Sequence, residues 1–177
     1  MKHISIIILL LLSSVLTFSK SPSTSTSEIE WISFEELETK MKEEPRKVMI
    51  DVYTNWCGPC KRMELTTFRN EVVSKYVNNH YYAVKFNAEE KNTIKFKNKE
   101  YKYLASAGRN GLNELTPSLI FNRSYPTVVF MDEKLDIIQK FNYLTPEYIE
   151  RIVKFFGENA HKNDSWENFN KTHKFEL

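Results

Sequence analysis

The chain has 177 residues, of which 41% are hydrophobic, 14% aromatic and 27% charged, and its formal net charge is +2. This length is enough for one domain with its own core, and the composition excludes an intrinsically disordered chain. Because so small a net charge creates no strong field, we expect neither nucleic acid nor a charged lipid surface as a partner.

Residues 1–19 are typical of a secretory signal peptide. Lys2 and His3 precede an apolar run over residues 4–12, and small residues continue to Ser19. The run is shorter than the about 20 residues of a comfortable membrane span. We therefore predict cleavage near Ser19 and a periplasmic or secreted protein without a membrane span after cleavage. The alternative is that the segment stays uncleaved and serves as an N-terminal membrane anchor.

A polar linker over residues 20–28 leads to a domain predicted over residues 29–157. The tail over residues 158–177 is polar, and the spacing of Trp166 and Phe169 indicates a short helix there. Helical and extended patterns alternate within the domain. In chain order, the predicted elements are a helix capped by Ser33 and ended by Pro45, a strand over 48–53, a helix from Cys57, a helical segment capped by Asn70, strands over 80–86, 128–131 and 135–141, and a helix from Thr145 to Gly157.

This order of elements predicts an α/β fold. The chain passes from the strand over 48–53 through a helix to the strand over 80–86, which is a right-handed parallel unit. The strands over 128–131 and 135–141 are close enough in sequence to form an antiparallel hairpin. We therefore expect one central mixed sheet with helices on both faces.

The segment over 89–122 has the weakest patterns of the domain. Apolar residues alternate with lysines at Ile94 and Phe96, and the same pattern returns at Tyr101 and Tyr103, which predicts a small exposed hairpin. A helical stripe that a proline interrupts or restarts comprises Leu112, Leu115, Pro117 and Leu119.

The two cysteines of the chain lie in the segment Trp56-Cys57-Gly58-Pro59-Cys60, between a predicted strand and a predicted helix. Two thiols at this spacing and in this position indicate a redox site. The start of the helix brings unpaired N–H groups and a positive dipole end near the first sulfur. These groups favour the thiolate, which is the form that attacks disulfides.

Two other uses of the cysteines fit the sequence less well. A structural disulfide between them would close a very small loop and would constrain the unfolded chain very little. A zinc site would need further ligands, and the four histidines show no ligand spacing. The sequence therefore predicts neither a metal nor a cofactor.

Residues 48–61, which include both cysteines, resemble the active-site region of thioredoxins. Asp51 matches the buried acid beneath the thioredoxin dithiol, and Lys85 matches the lysine that partners this acid from the next strand. Tyr125-Pro126-Thr127 matches the loop whose cis-proline faces the dithiol. The resemblance covers roughly residues 32–156 and implies a thioredoxin fold.

One departure from this pattern is the segment over 89–122, which is longer than in small cytosolic thioredoxins. It is similar to the insertion of exported thioredoxin-like proteins of Bacteroidetes-type bacteria, which precedes a Tyr-Pro-Thr turn.

The resemblance implies a catalytic role for four residues. Cys57 would be the exposed nucleophile that forms a mixed disulfide with a client, and Cys60 would be the resolving thiol. Asp51 would accept the proton of Cys60 through water, and Lys85 would offset the buried charge of Asp51. The alternatives are that Asp51 is an exposed acid of an edge strand and that Lys85 faces solvent.

Five further residues are predicted to bind the substrate. Gly58 and Pro59 set the turn between the two cysteines. A cis bond before Pro126 would leave the backbone of Tyr125 free to hydrogen-bond a substrate strand. Trp56 is either a core aromatic residue or a hydrophobic platform beside the dithiol.

The function implied by the resemblance is an exported thiol–disulfide oxidoreductase that acts on disulfide-containing proteins. Thioredoxin, which has the same Gly-Pro pair between its cysteines, is strongly reducing at about −270 mV. We therefore expect a monomeric reductant that receives electrons through a membrane partner. The alternatives are a disulfide oxidase or isomerase, and a thioredoxin-fold binding or chaperone module without redox turnover.

The C-terminal residues Lys174-Phe175-Glu176-Leu177 loosely resemble a retention signal of the endoplasmic reticulum. In that alternative the protein would be lumenal, and Asn122-Arg123-Ser124 would be a glycosylation site. Phe175 departs from the acid that such signals carry, so we favour the periplasmic or secreted location.

Overall fold

The computed structural model of the chain describes residues 28–122 and 124–177. The predicted signal peptide over 1–19 and the linker up to residue 27 lie outside the described residues. Within the described part of the chain, no helix is long and apolar enough to cross a membrane.

Nine strands and six helices make up the regular structure of the described residues. The strands are β1 (Trp31–Ile32), β2 (Lys47–Tyr53), β3 (Tyr81–Asn87), β4 (Ile94–Phe96), β5 (Lys99–Tyr101), β6 (Tyr103–Leu104), β7 (Leu112–Asn113), β8 (Thr127–Met131) and β9 (Ile137–Phe141). The helices are α1 (Phe34–Glu43), α2 (Gly58–Met63), α3 (Glu71–His80), α4 (Thr116–Leu119), α5 (Pro146–Gly157) and α6 (Trp166–Thr172).

Five strands form the central sheet in the order β1-β3-β2-β8-β9. Strands β1, β3 and β2 are parallel, β8 is antiparallel to β2, and β9 is antiparallel to β8. Strand β2 has a neighbour on each side, and six of its seven residues are buried. The predicted α/β architecture with one mixed sheet is confirmed.

Each face of the sheet has its own hydrophobic core. Met49 of β2 packs in the core that α3 and α5 cover, whereas its neighbours Val48 and Ile50 pack in the core that α1 and α4 cover. This alternation follows from the two-residue period of a strand. Asp51 follows Met49 by two residues, so its side chain points to the same face of the sheet, which also carries α2.

Local capping residues determine where the helices begin. The side chains of Ser33, Asn70 and Thr145 accept hydrogen bonds from backbone N–H groups at the first turns of α1, α3 and α5. These three predicted caps are confirmed. Strand β1 was not predicted, because two residues are too few to show a period.

Two small sheets lie in the segment over 89–122. Strands β4 and β5 form the predicted hairpin through a two-residue turn in which Lys97 (φ 51°) and Asn98 (φ 58°) are both left-handed. The prediction that this hairpin is exposed is wrong for its apolar side. Ile94 and Phe96 are buried, because the Phe96 ring packs 4.9 Å from that of Phe34 in α1.

Strands β6 and β7 form the second small sheet. Leu112 lies in β7, so it does not belong to the predicted helical stripe. The short helix α4 has Pro117 in its first turn, where the missing N–H of a proline is tolerated.

Residues 158–177, expected to contain a short helix, include α6, whose Phe169 is buried against α5. The chain then returns along α5, where Arg151 lies 4.4 Å over the ring of Phe175. Glu150 of α5 is fully buried, accepts hydrogen bonds from Lys154, and accepts two more from the backbone N–H groups of Glu176 and Leu177. These bonds fix the C-terminal residues to α5.

Candidate active site

The two cysteines form a disulfide at the start of α2. Cys57 caps the helix, and its Sγ accepts a hydrogen bond of 3.1 Å from the backbone N–H of Cys60. The expectation that Cys57 is exposed is wrong for this oxidised state, in which only 3% of the residue is accessible. The reason is that its sulfur is bonded to Cys60 and lies over the first turn of the helix.

Gly58 and Pro59 occupy the first two positions of α2, and both are exposed. No atom lies within 4 Å of the place where a Cβ of Gly58 would be. The surface over the disulfide is therefore open at these two residues.

Asp51 is a buried acid that shares a cavity with Cys60. The residue is 2% exposed, and its Oδ1 has no hydrogen-bond partner among the described residues. It lines a cavity of about 350 Å³ together with Cys60, Glu64 and Lys85. Burial raises the pKa of Asp51 to about 7, Lys85 opposes this rise, and the charge of Glu64 adds to it. The alternative of an exposed edge-strand acid is wrong, because β2 is central.

Lys85 does not contact Asp51 as the sequence implied. The two residues are register partners on β3 and β2, but the Lys85 Nζ forms an ion pair with Glu64. The amine also lies 5.4 Å over the ring of Trp31 and 5.5 Å over that of Tyr53. Lys85 therefore acts on Asp51 through its electric field, while its hydrogen bond goes to Glu64.

Glu64 is the residue of this cavity that the sequence analysis missed. It begins a π-helical turn over Glu64–Phe68, directly after α2. Because it follows Cys60 by four residues on helical backbone, both side chains lie on the same face. That spacing was the available signal, but the ion pair with Lys85 depends on the packing of the helix against β3.

Trp56 forms an aromatic platform beside the disulfide, and 61% of the residue is exposed. Its Nε1 donates a hydrogen bond of 2.7 Å to Oε1 of Glu89, and Asn110 donates to the same oxygen. The ring of Tyr125 lies edge-on to that of Trp56, with 5.9 Å between the centroids. The alternative of a core aromatic residue is therefore wrong for Trp56.

The loop with Tyr125 and Pro126 faces this platform. The peptide bond between the two residues is cis, and Pro126 is buried. Among the described residues, neither the backbone N–H nor the C=O of Tyr125 has a hydrogen-bond partner. Burial raises the pKa of the Tyr125 phenol, and the nearby charge of Glu89 adds to this rise.

Residues 15–172 match the model of the family Thioredox_DsbH, which is described as "Protein of unknown function, DUF255". The chain belongs to this family. No curated protein matches the chain by sequence. The family and the disulfide at Cys57 and Cys60 together support thiol–disulfide redox activity.

Three solved structures resemble this member of the DsbH family in fold. A DsbH oxidoreductase is 13% identical with a TM-score of 0.53, over 80% of this chain and 93% of that chain. A thioredoxin-fold protein from Helicobacter pylori is 15% identical with a TM-score of 0.52, over 84% and 89%. A candidate disulphide-isomerase from Bacteroides thetaiotaomicron is 22% identical with a TM-score of 0.51, over 75% and 95%. The predicted thioredoxin fold is thereby confirmed.

Proposed function

We propose that this chain is an exported oxidoreductase that reduces disulfides of client proteins outside the cytoplasm. One observation carries the proposal. The buried carboxylate of Asp51, unpartnered at Oδ1, lines the same cavity as Cys60. Burying such a group costs free energy, and a purely structural disulfide has no use for it. A proton acceptor beneath the resolving thiol explains why the cost is tolerated.

The reduced pair acts in two steps. The Cys57 thiolate attacks one sulfur of a client disulfide, which forms a mixed disulfide and releases the other client sulfur as a thiolate that takes up a proton. Cys60 then loses its proton and attacks Sγ of Cys57. The intramolecular disulfide forms again, and the second client sulfur leaves as a thiolate. The client gains two electrons, and the dithiol is oxidised.

Asp51 is the base of the second step. With a pKa of about 7, it changes its protonation state near neutral pH, as an efficient general base should. The cavity of about 350 Å³ has room for water, and the buried Oγ1 of Thr54 in its lining also lacks a partner among the described residues. We infer that a water molecule there passes the proton of Cys60 to Asp51.

The client docks beside Cys57 through an extended segment. The backbone N–H and C=O of Tyr125, which have no hydrogen-bond partner within the described part of the chain, are suited to pair with such a segment, as in strand addition. Trp56 provides an exposed apolar surface next to it, and Gly58 and Pro59 leave room for the approach. Pro126 supports this loop from beneath.

The direction of electron flow is proposed from the sequence. The Gly-Pro pair between the cysteines favours a reducing potential, and residues 1–19 favour export to a periplasmic or external space. Each turnover leaves the dithiol oxidised. A dithiol donor associated with the membrane must therefore return two electrons and two protons.

The decisive experiment is the redox potential of the Cys57–Cys60 couple in defined thiol buffers. We expect a value near the about −270 mV of thioredoxin. A value near the about −120 mV of strong oxidants would overturn the reductant in favour of an oxidase.

A trapping experiment separates redox turnover from simple binding. The Cys60→Ser variant retains the nucleophile but lacks the resolving thiol, so it should accumulate mixed disulfides with clients in vivo. The Cys57→Ser variant is the matched control and should trap none. If both variants capture the same proteins without a disulfide, the binding or chaperone module is the better description.

A further inference from the structure

A groove of about 1070 Å³ lies beside the active site and is separate from the cavity around Asp51. One side of it is formed by Trp56 and Tyr125, and the other by the segment over 89–122, including Arg109, Pro117 and Ile120. Its volume lies at the upper end of the about 300–1,000 Å³ of small-molecule pockets, so the groove has room for a few residues of an extended polypeptide.

The far side of the groove is held firmly by buried hydrogen bonds. Asn113 is fully buried, and its side-chain amide donates to the C=O groups of Glu90, at 3.2 Å, and of Asn92, at 3.4 Å. Its backbone N–H and the hydroxyl of Thr116 both donate to the C=O of Ala88, directly after β3. The segment over 89–122 is thus joined to the end of a central strand.

The turn that carries Arg109 is held by contacts of the two residues after it. The side chain of Asn110 donates to Glu89, and its C=O accepts a hydrogen bond of 2.7 Å from the hydroxyl of Tyr103. Gly111 has a φ of 77°, and a Cβ there would lie 2.0 Å from the Tyr103 hydroxyl. The positive φ and the close approach of the Tyr103 ring both favour glycine at this position.

The groove lining contains one carboxylate, Glu89, and one guanidinium, Arg109. Glu89 keeps its negative charge, but its hydrogen bonds hold it on the Trp56 side of the groove. Oε1 of Glu89 already accepts hydrogen bonds from Trp56 and Asn110. Arg109 is exposed and forms no ion pair, hydrogen bond or ring contact with any described residue. A guanidinium without a partner at the edge of a groove is complementary to a carboxylate.

We propose that the segment over 89–122 and the Trp56–Tyr125 pair form a docking groove for an extended client segment, in which Arg109 selects an acidic side chain near the client's reacting cysteine. The inference rests on the proposed function and names its substrate class. The groove is continuous with the active site, because Trp56 and Tyr125 belong to both. The apolar side chains of Pro117 and Ile120 receive apolar residues of the same client segment.

The test uses two labelled disulfide-containing peptides that differ only in carrying Asp or Lys beside the cysteine. Their binding is measured by fluorescence anisotropy to the oxidised full-length protein and to its Arg109→Ala and Arg109→Glu variants. Lys91→Ala, which removes an exposed lysine of the same segment outside the groove lining, is the matched control.

We expect the wild-type protein to bind the Asp peptide more tightly, and Arg109→Ala to lose about twofold to fivefold for that peptide, as for an ion pair of an exposed guanidinium. Arg109→Glu should reverse the preference, and salt should weaken it. The proposed selection of acidic clients by Arg109 would be refuted if the wild-type protein bound both peptides with equal affinity, or if Arg109→Ala and Lys91→Ala lost equal affinity. If the peptides bind with this preference but the reduced protein reduces neither of them, the proposed reductase function would be refuted and the proposed docking groove would stand.

Discussion

Replacing Asp51 by Asn should remove a pH-dependent loss of stability. In the native protein Asp51 keeps its proton up to a pKa of about 7, whereas the ordinary pKa of an Asp side chain, as in the unfolded chain, is 3.8. Between these values the unfolded state binds fewer protons, so raising the pH favours unfolding. Each tenfold difference in proton affinity is worth about 1.4 kcal/mol, so Asp51 alone should lower the free energy of unfolding by about 3 kcal/mol between pH 5 and pH 8.

The assay is urea unfolding of the oxidised protein at pH 5, 6, 7 and 8, for the wild type and the Asp51→Asn variant. Asn has the shape of a protonated carboxyl but does not ionise, so the variant should gain about 3 kcal/mol over the wild type on going from pH 5 to pH 8. Asp136→Asn, which alters a carboxylate with 70% of its side chain exposed, is the control and should show a small change. A difference between Asp51→Asn and wild type that is the same at pH 5 and pH 8 would refute the burial argument.

Three further predictions concern the residues around this site, the C-terminal residues and the segment over 89–122. Glu64→Gln removes a negative charge that raises the pKa of Asp51, and Lys85→Met removes the positive charge that lowers it. In the same urea series, the midpoint of the pH dependence of stability should therefore move to lower pH in Glu64→Gln and to higher pH in Lys85→Met. A shift of both midpoints in one direction would contradict this assignment of charges. Glu150→Ala should lower the free energy of unfolding by about 3–5 kcal/mol at pH 7, because it leaves two backbone N–H groups without their acceptor and leaves the buried Lys154 only the longer ion pair with Glu176, at 3.6 Å. A loss below about 1 kcal/mol in urea unfolding would show that the C-terminal residues contribute little. Asn113→Ala should speed hydrogen exchange over residues 89–122 while β2 and β3 keep their protection, and an equal increase in both regions would contradict the separate stabilisation of this segment.

Much of the fold was predictable because local chemistry decides it. The caps at Ser33, Asn70 and Thr145 act within a few residues, and the apolar run of β2 belongs to a strand buried on both faces. The dithiol was predictable for the same reason, since its spacing and its place before a helix are local. The burial of Asp51 was implied by the resemblance to thioredoxins, and the central position of β2 accounts for it.

The sequence-based predictions were wrong or incomplete where the structure depends on contacts between elements that are distant in sequence. Lys85 pairs with Glu64 because α2 and its π-helical turn lie over β3, and no pattern within either segment shows this. The burial of Phe96 depends on the ring of Phe34 in α1. The groove beside Trp56 depends on where the weakly patterned segment over 89–122 returns to the sheet. Periodicity identifies which residues are apolar, but it does not identify their partners.

The small sheets β4–β5 and β6–β7 share no strand pairing with the central sheet. The disulfide and Asp51 belong to the part of the chain built on the central sheet, whereas Arg109, Pro117 and Ile120 of the proposed groove belong to the segment over 89–122. If the proposed groove selects clients, substitutions in this segment should change client choice more than the redox potential of the disulfide. The two properties would then diverge separately during evolution, and this segment would be the place to redirect the protein by engineering.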